Sequence, residues 1–179
     1  NVLWTVVFAV TSGAATGDVL AAPDDNVYFT GIAPYSFIDG SEQSGSACFI
    51  MKLDRFGNRV WCVPIPNVSN NIMSSSESYN LPFEHGYPRL GLTAKGELCA
   101  VAHRPFGDRQ MIMFYTYDTA GTLLQMRALG SVSGSAAAGA VSINNDGRLA
   151  LIGTTDGQMY PGLSNKGAYD WFLLTSQDY

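Results

Sequence analysis

The sequence predicts an all-β protein built from repeated four-stranded antiparallel units. Three observations predict this class: the composition, a turn that occurs twice, and a pair of strands that occurs three times. Charged residues make up 14% of the 179 residues, against about 25% in an average soluble protein. Glycine and aromatic residues are plentiful instead. This balance is typical of short strands joined by many tight turns.

The repeated turn starts with an aspartate and ends with a glycine. DRFG at 54–57 and DTAG at 118–121 lie 64 residues apart. This pattern is typical of a type I turn followed by a left-handed residue, which joins the two strands of a hairpin. The apolar runs over 48–54 and 112–118 supply the strands before the two turns.

The repeated strand pair reads VLAAPDDNVYFTG at 19–31, LGLTAKGELCAVA at 90–102 and VSINNDGRLALIG at 141–153. In each copy apolar residues alternate before a tight turn, as a half-buried strand requires. A second strand of small residues follows the turn. A further copy of the strand that precedes the Asp-x-x-Gly turn falls at 170–177. We name the strands of one unit a, b, c and d in chain order.

The chain opens on a d strand, predicted over residues 2–9, and continues as abc-d, abc-d and abc. Trp4 in this first strand is expected to match Trp61 in the next d strand. NVLWTVVFAV at 1–10 could alternatively be the tail of a signal peptide. We prefer a strand, because the segment matches the d strand of the repeat, and it also lacks the initiator Met and basic region of a signal peptide.

Four-stranded units of about 60 residues with turns between their strands indicate the blades of a β-propeller. A β-solenoid is the alternative, although solenoid coils are usually shorter and lack regular hairpins. We divide the chain into three repeats over 1–57, 58–121 and 122–179. The second repeat carries an insertion at 66–87, which is polar and rich in Ser and Asn.

The repeats resemble the β-propeller repeat family labelled SBBP. The first copy matches its pattern at 25–31, 47–54, 57–58 and Trp61, and the third matches at 146–147, 153–155 and 169–172. The second copy matches in outline, with Cys99 in place of a tyrosine and Gln125 in place of the tryptophan. The resemblance covers nearly the whole chain. It implies a propeller, often secreted or on a cell surface, and it implies no single activity.

Three blades are too few for a ring of the usual four to eight. Three arrangements stay open: an excerpt of a longer propeller, two copies joined in a six-bladed ring, or an open stack with covered edges. The expected partners are therefore other blades of a longer chain, a second copy or another protein. Because the strand at 2–9 is apolar on both faces, we expect a neighbour to cover it.

Two long loops between b and c strands are the candidate binding surface. IAPYSFIDGSEQSGS at 32–46 and TTDGQMYPGLSNKGA at 154–168 both carry aromatic residues, an Asp-Gly pair and a glycine-rich end. Loops on a rigid scaffold often bind ligands. The alternative is that these loops only pack on neighbouring blades. The candidate residues are Tyr35, Phe37, Asp39, Asp156 and Tyr160.

The sequence offers no catalytic set, metal site or cofactor motif. His85 and His103 lie near loops without an HxH or HxxxH spacing, and the acids of the repeated turns have a structural reason to be there. Neither GxSxG nor a P-loop is present. With a net charge of −5 and no basic cluster, the chain gives no sign of binding nucleic acid. No apolar run reaches the roughly 18 residues of a membrane span.

The three cysteines show no CxxC spacing, so the sequence indicates neither zinc nor a disulfide framework. A regular hairpin would place Cys62 opposite Ile50, with Cys48 diagonally beside it on the same face. We expect these two thiols to be unbridged.

The best-supported function is a non-enzymatic extracellular or cell-surface module for structural assembly or recognition. The alternative is a segment of a secreted propeller enzyme that acts on polysaccharide. The insertion holds Asn67-Val68-Ser69, an acceptor signal for an N-linked glycan. We therefore expect Asn67 to be glycosylated if the chain is secreted.

Overall fold

The chain is an all-β protein, as the sequence predicts. A computed structural model describes residues 4–10, 13–68, 87–106, 109–130, 133–144, 146–159 and 165–176. These residues form three antiparallel sheets and one short helix, α1 (Tyr35–Ile38). No helix within the described ranges is long and apolar enough to cross a membrane.

Each sheet is a meander in which strands that follow one another in the chain pair side by side. Sheet I holds β1 (Ala15–Ala21), β2 (Val27–Pro34), β3 (Ser46–Leu53) and β4 (Arg59–Pro64). Sheet II holds β5 (Arg89–Leu92), β6 (Leu98–Phe106), β7 (Arg109–Tyr117) and β8 (Leu123–Leu129). Sheet III holds β9 (Ala136–Ile143), β10 (Leu149–Thr155) and β11 (Asp170–Ser176). The predicted order abc-d, abc-d, abc is confirmed for the part of the chain that follows the N-terminal segment.

The Asp-x-x-Gly turns have the predicted geometry. Asp54 Oδ1 accepts hydrogen bonds from the backbone N–H groups of Phe56 at 2.8 Å and Asn58 at 2.9 Å. Gly57 and Gly121 have φ values of 85° and 86°, in the left-handed region that glycine occupies without strain. A bulge follows each turn, because the extra turn residue shifts the strand register.

This bulge changes the predicted position of the cysteines. Cys62 lies opposite Met51 rather than Ile50. Since neighbouring residues of a strand point to opposite faces, Cys48 and Cys62 lie on different faces of sheet I, and the predicted shared face is wrong. All three cysteines are free, as expected.

The N-terminal segment, residues 4–10, does not form the predicted strand. It contains no strand residue in the described chain. A strand requires a hydrogen-bonded neighbour, and these residues lie against a face of sheet I instead of an edge. Trp4, Phe8 and Val10 pack there on a buried cluster that includes Phe49 and Met51.

The three sheets stack face to face in chain order. The I–II interface, between the first two sheets, buries residues such as Tyr28, Ile50, Ala100 and Tyr115. The II–III interface, between the second and third, buries residues such as Val101, Phe114, Ala138 and Leu151. Sheet II therefore presents one face to sheet I and the other to sheet III.

The first strands of the sheets lie close together, with β1 next to β5 and β5 next to β9. Small residues permit this approach: a Cβ atom on Gly91 of β5 would lie 2.9 Å from Cδ1 of Ile143 in β9. At the fourth strand the gap is filled by a large side chain instead, since the Trp61 indole packs on Gly121 of sheet II. The sheets are thus closest at their first strands.

Candidate interaction surface

The outward face of sheet III exposes large apolar side chains. Trp171 is 83% exposed, Leu173 is 70% exposed and Ile152 is 47% exposed. Ile152 and Leu173 lie directly opposite each other on β10 and β11. Alternation along β11 places Trp171 and Leu173 on one face, while Phe172 and Leu174 pack into the II–III interface. We call the surface of Ile152, Trp171 and Leu173 the open face.

The same positions are buried in the other two sheets. The b and c strands pair in one common register: Gly31 lies opposite Phe49, Ala102 opposite Met113, and Gly153 opposite Phe172. Leu173 therefore corresponds to Ile50 in sheet I and Phe114 in sheet II. Their exposures are 0% and 6%. The next sheet in the stack covers these two side chains, and in the described chain nothing covers Leu173.

The edge of sheet III adjoins the open face. In the described residues β11 pairs with β10 on one side, whereas its counterparts β3 and β7 pair on both sides. An edge strand offers a row of backbone donors and acceptors to another strand. A further strand could therefore pair with this edge, and a further sheet could pack on the open face.

The N-terminal segment repeats one contact of the I–II interface. A Cβ atom on Gly57 would lie 3.0 Å from Cε3 of Trp4, and one on Gly121 would lie 2.9 Å from Cδ2 of Trp61. Trp4 therefore contacts the turn of sheet I as Trp61 contacts the turn of sheet II. The expected correspondence of the two tryptophans holds in this packing contact, although residues 4–10 are not a strand.

The first candidate loop folds onto sheet I. Tyr35 and Phe37 lie in α1 and are partly buried against the cluster of Phe49 and Met51. The Arg59 guanidinium fixes this helix, since it donates a 2.8 Å hydrogen bond to the carbonyl oxygen of Phe37. These two aromatic side chains therefore pack on sheet I, as the alternative to a binding role expected.

Asp39 follows α1 and is exposed. Its carboxylate accepts a 2.9 Å hydrogen bond from the Ser41 N–H. Hydrogen bonds from Ser41 hold the pKa of Asp39 below its usual value, and the positive charge of Arg59 adds to this effect. The carboxylate is therefore charged at neutral pH and available to a polar ligand.

The second candidate loop is anchored to the start of β9. Asp156 Oδ1 accepts a 2.6 Å hydrogen bond from the Ser135 N–H, and the Thr155 hydroxyl donates to the Ser135 carbonyl oxygen at 2.8 Å. Asp156 thus orders the loop that enters sheet III. Tyr160 lies outside the described residues.

The two histidines have different outcomes. His85 lies outside the described residues. His103 lies in β6 and is half-buried, and its Nε2 accepts a 2.8 Å hydrogen bond from the Ala138 N–H of β9. Burial lowers the pKa of His103 to about 4, and the positive charge of Arg89 contributes to the lowering. A neutral imidazole therefore links sheets II and III.

Asn67 is exposed and has a φ of 59° in a turn after β4. Val68 beside it is buried, and Ser69 lies outside the described residues. The asparagine side chain is thus accessible from solvent.

The open face was missed at the sequence level. The sequence signal for the open face is the alternation of apolar residues in DWFLLTSQ at 170–177. In the two earlier copies, the next sheet covers the side chains at the corresponding positions. The alternation of apolar residues predicts an uncovered apolar surface at residues 2–9 instead. Among the described residues, no group of three or more His, Cys, Asp or Glu side chains is placed to hold a metal ion.

Comparison of the chain with known proteins found no matching family model and no matching curated protein.

Proposed function

We propose that this chain is a non-enzymatic β-propeller module that acts outside the cell or on its surface, in structural assembly or recognition. The observation that carries the proposal is the open face on sheet III. Trp171 at 83% exposure and Leu173 at 70% exposure are large apolar groups side by side. Soluble proteins keep such surfaces for interaction sites.

The propeller arrangement is supported by the way the sheets stack. Their first strands approach closely at glycine, whereas a tryptophan fills the gap at the fourth strand of sheet I. Sheets that converge along one side and spread along the other fan around an axis, as the blades of a propeller do. In this proposal β1, β5 and β9 lie nearest the axis.

Three described polar residues of types that serve in catalysis, Asp118, Asp156 and His103, have structural partners. Asp118 Oδ1 accepts hydrogen bonds from the N–H groups of Ala120 at 2.9 Å and Thr122 at 2.7 Å. Asp156 anchors Ser135, and His103 joins two sheets. Glycoside hydrolysis needs two carboxyl groups that flank one bond of the substrate. The geometry therefore favours assembly or recognition over the polysaccharide-acting alternative.

The candidate loops are a second place for recognition in this proposal. Asp39 and Asp156 both lie in loops between the second and third strands of their sheets. In a propeller these loops lie at the same end of the blades. The half-buried Tyr35 and Phe37 lie beside Asp39 in the described part of this proposed loop surface, which remains secondary to the open face. Tyr160 lies outside the described residues.

The extracellular location is supported by the family resemblance and by the exposed Asn67. Mass spectrometry of the protein from its native host would test it, if that host is eukaryotic. We expect an N-linked glycan on Asn67, and an unmodified Asn67 would remove the residue-level support for secretion.

Association and shape test the proposal as a whole. Sedimentation of the 179-residue chain should show a self-associated species, and negative-stain electron microscopy should show sheets arranged around an axis. Trp171→Asp should weaken the association at least tenfold, whereas Leu124→Asp, an exposed leucine on β8, should not. Turnover of a glycan by the purified chain, or images of a straight stack, would contradict the proposal.

A further inference from the structure

We propose that the open face and the edge of β11 bind a second copy of this chain head to tail, with residues 4–10 of that copy as the fourth strand of sheet III. Two copies would then contribute three sheets each to one closed ring of six. This inference rests on the propeller arrangement proposed above and names the partner of the open face.

The N-terminal segment has the properties of a donated strand. Its described residues belong to no sheet of their own chain. Trp4 and Phe8 face sheet I, while Val7 points away and is 88% exposed. β4 relates to sheet II in the same manner, through Trp61 on Gly121. The segment therefore lies where the last strand of a sheet preceding sheet I would lie.

Sheet III offers the matching acceptor edge, and sheet I supplies the register. In sheet I, Trp61 lies opposite Lys52 and Val63 lies opposite Ile50. Translating these pairs by the repeat alignment gives two contacts between copies: Trp4 opposite Thr175, and Val6 opposite Leu173. Both Val6 and Leu173 are exposed in the single chain. Pairing would cover both and satisfy the backbone groups of the two segments.

The first strand of sheet I supplies the remaining surface. Val19 of β1 is exposed, whereas Leu90, which occupies the same position in β5, is buried in the I–II interface. Sheet I has one face that packs on sheet II and one face on which a preceding sheet would pack. Along β1, this second face is uncovered. The open face of the other copy is the apolar sheet surface available to cover Val19.

A tail-to-tail contact between two open faces would leave more apolar side chains exposed and more backbone groups unpaired than a head-to-tail contact. It would bury Trp171 and Leu173 but leave Val7 and Val19 exposed and residues 4–10 without a paired strand. The head-to-tail contact covers both ends of the stack. Heterologous contacts of this kind form a closed ring when the rotation between the copies closes, and an open filament when it does not.

Disulfide trapping between singly substituted chains tests the arrangement. Val6→Cys and Leu173→Cys are prepared separately, mixed and oxidised gently, so that a mixed disulfide can form only between copies. We expect a covalent dimer that forms at least tenfold faster than in a mixture of Val6→Cys with Leu124→Cys. The unsubstituted chain controls for Cys48 and Cys62, whose thiols react slowly because burial raises their pKa to about 12.

The outcomes separate this inference from the proposed function. Self-linkage of Leu173→Cys alone, at a rate equal to that of the mixture, would show tail-to-tail contact and overturn the inference, while the proposed assembly module would stand. A chain that stays monomeric up to about 100 μM would overturn the second copy as partner, while recognition of a different protein through the open face would stand. Filaments in place of closed dimers, with the expected mixed disulfide, would overturn the ring of six.

Discussion

The I–II interface and the open face place corresponding residues in opposite environments. Ile50 and Leu173 occupy the same position of their sheets, yet one is fully buried and the other largely exposed. The comparison shows that burial here is a property of the stack. A repeat supplies an apolar side chain at this position, and the following sheet decides whether that side chain lies in a core or on a surface.

The two regions also differ in polar contacts between neighbouring sheets. In the I–II interface the Lys52 ammonium and the Trp61 Nε1–H both donate to the Thr119 carbonyl oxygen, at 3.3 and 3.1 Å. The Leu90 N–H donates to Asp18 Oδ2 at 2.9 Å. These hydrogen bonds fix the position of one sheet relative to the next. Apolar packing alone is less directional and would fix that position less closely.

The largest expected effect comes from truncating the two corresponding side chains. Ile50→Ala should lower the free energy of unfolding by about 2–5 kcal/mol, because it leaves a cavity in the I–II interface. Leu173→Ala should change it by no more than about 0.5 kcal/mol, as is usual for an exposed residue. Urea unfolding at submicromolar protein, where self-association does not contribute, measures both. Equal losses would show that the open face is covered within the single chain.

The II–III interface should be sensitive to pH through His103. Its pKa is about 4 in the folded protein against an ordinary 6.5. Between these values the unfolded chain binds the proton and the folded chain does not. Stability is therefore complete above about pH 6.5 and falls as the pH drops toward 4, by about 3 kcal/mol in total.

His103→Gln is the matched variant, because a glutamine side-chain oxygen can still accept the Ala138 N–H. Unfolding measured across this pH range should give a much flatter curve for the variant than for the parent chain. The aspartates of the turns, whose pKa values are lowered by hydrogen bonds to their carboxylates, act at lower pH. If the unfolding free energy of the variant depends on pH as strongly as that of the parent chain, a group other than His103 causes the pH dependence.

The close approach of the first strands gives a smaller effect. Gly91→Ala would place its Cβ 2.9 Å from Cδ1 of Ile143, so the Ile143 side chain must change position or the two strands must move apart. We expect a loss of about 1–3 kcal/mol, as for other overpacked sites. Gly139→Ala is the control, since its Cβ would find its nearest neighbour at 3.5 Å, an ordinary contact. A neutral Gly91→Ala would argue against tight packing along β1, β5 and β9.

Much of the sheet architecture could be predicted from local signals. Turn chemistry at Asp54–Gly57 and Asp118–Gly121 and alternation in the flanking strands located the hairpins, because these features depend on nearby residues. The position of Cys62 could not be obtained in this way. The bulge after the turn shifts the register by one residue, and the predicted pairing assumed a regular hairpin.

The candidate surface was harder to predict for a different reason. Alternation identified residues 2–9 and 170–177 as apolar strands, but it does not say which faces remain uncovered. That depends on contacts between distant parts of the chain, such as Trp4 with Gly57. For the same reason Tyr35 and Phe37 had the composition of a binding loop, and only the fold of α1 onto sheet I revealed their packing contacts.

The smallest expected effect compares two tryptophans, one in the closed interface and one on the open face. Trp61→Phe removes the N–H that donates to the Thr119 carbonyl oxygen while keeping an aromatic ring over Gly121. We expect a loss of about 0.5–1.5 kcal/mol, the usual net contribution of one hydrogen bond. Trp171→Phe should leave the unfolding free energy unchanged, because its side chain is mostly in solvent. Urea unfolding of both variants at submicromolar concentration, with circular dichroism as the signal, keeps the readout independent of tryptophan fluorescence. A larger loss for Trp171→Phe than for Trp61→Phe would mean that the open face stabilises the single chain, and the contrast between the two surfaces would then fail.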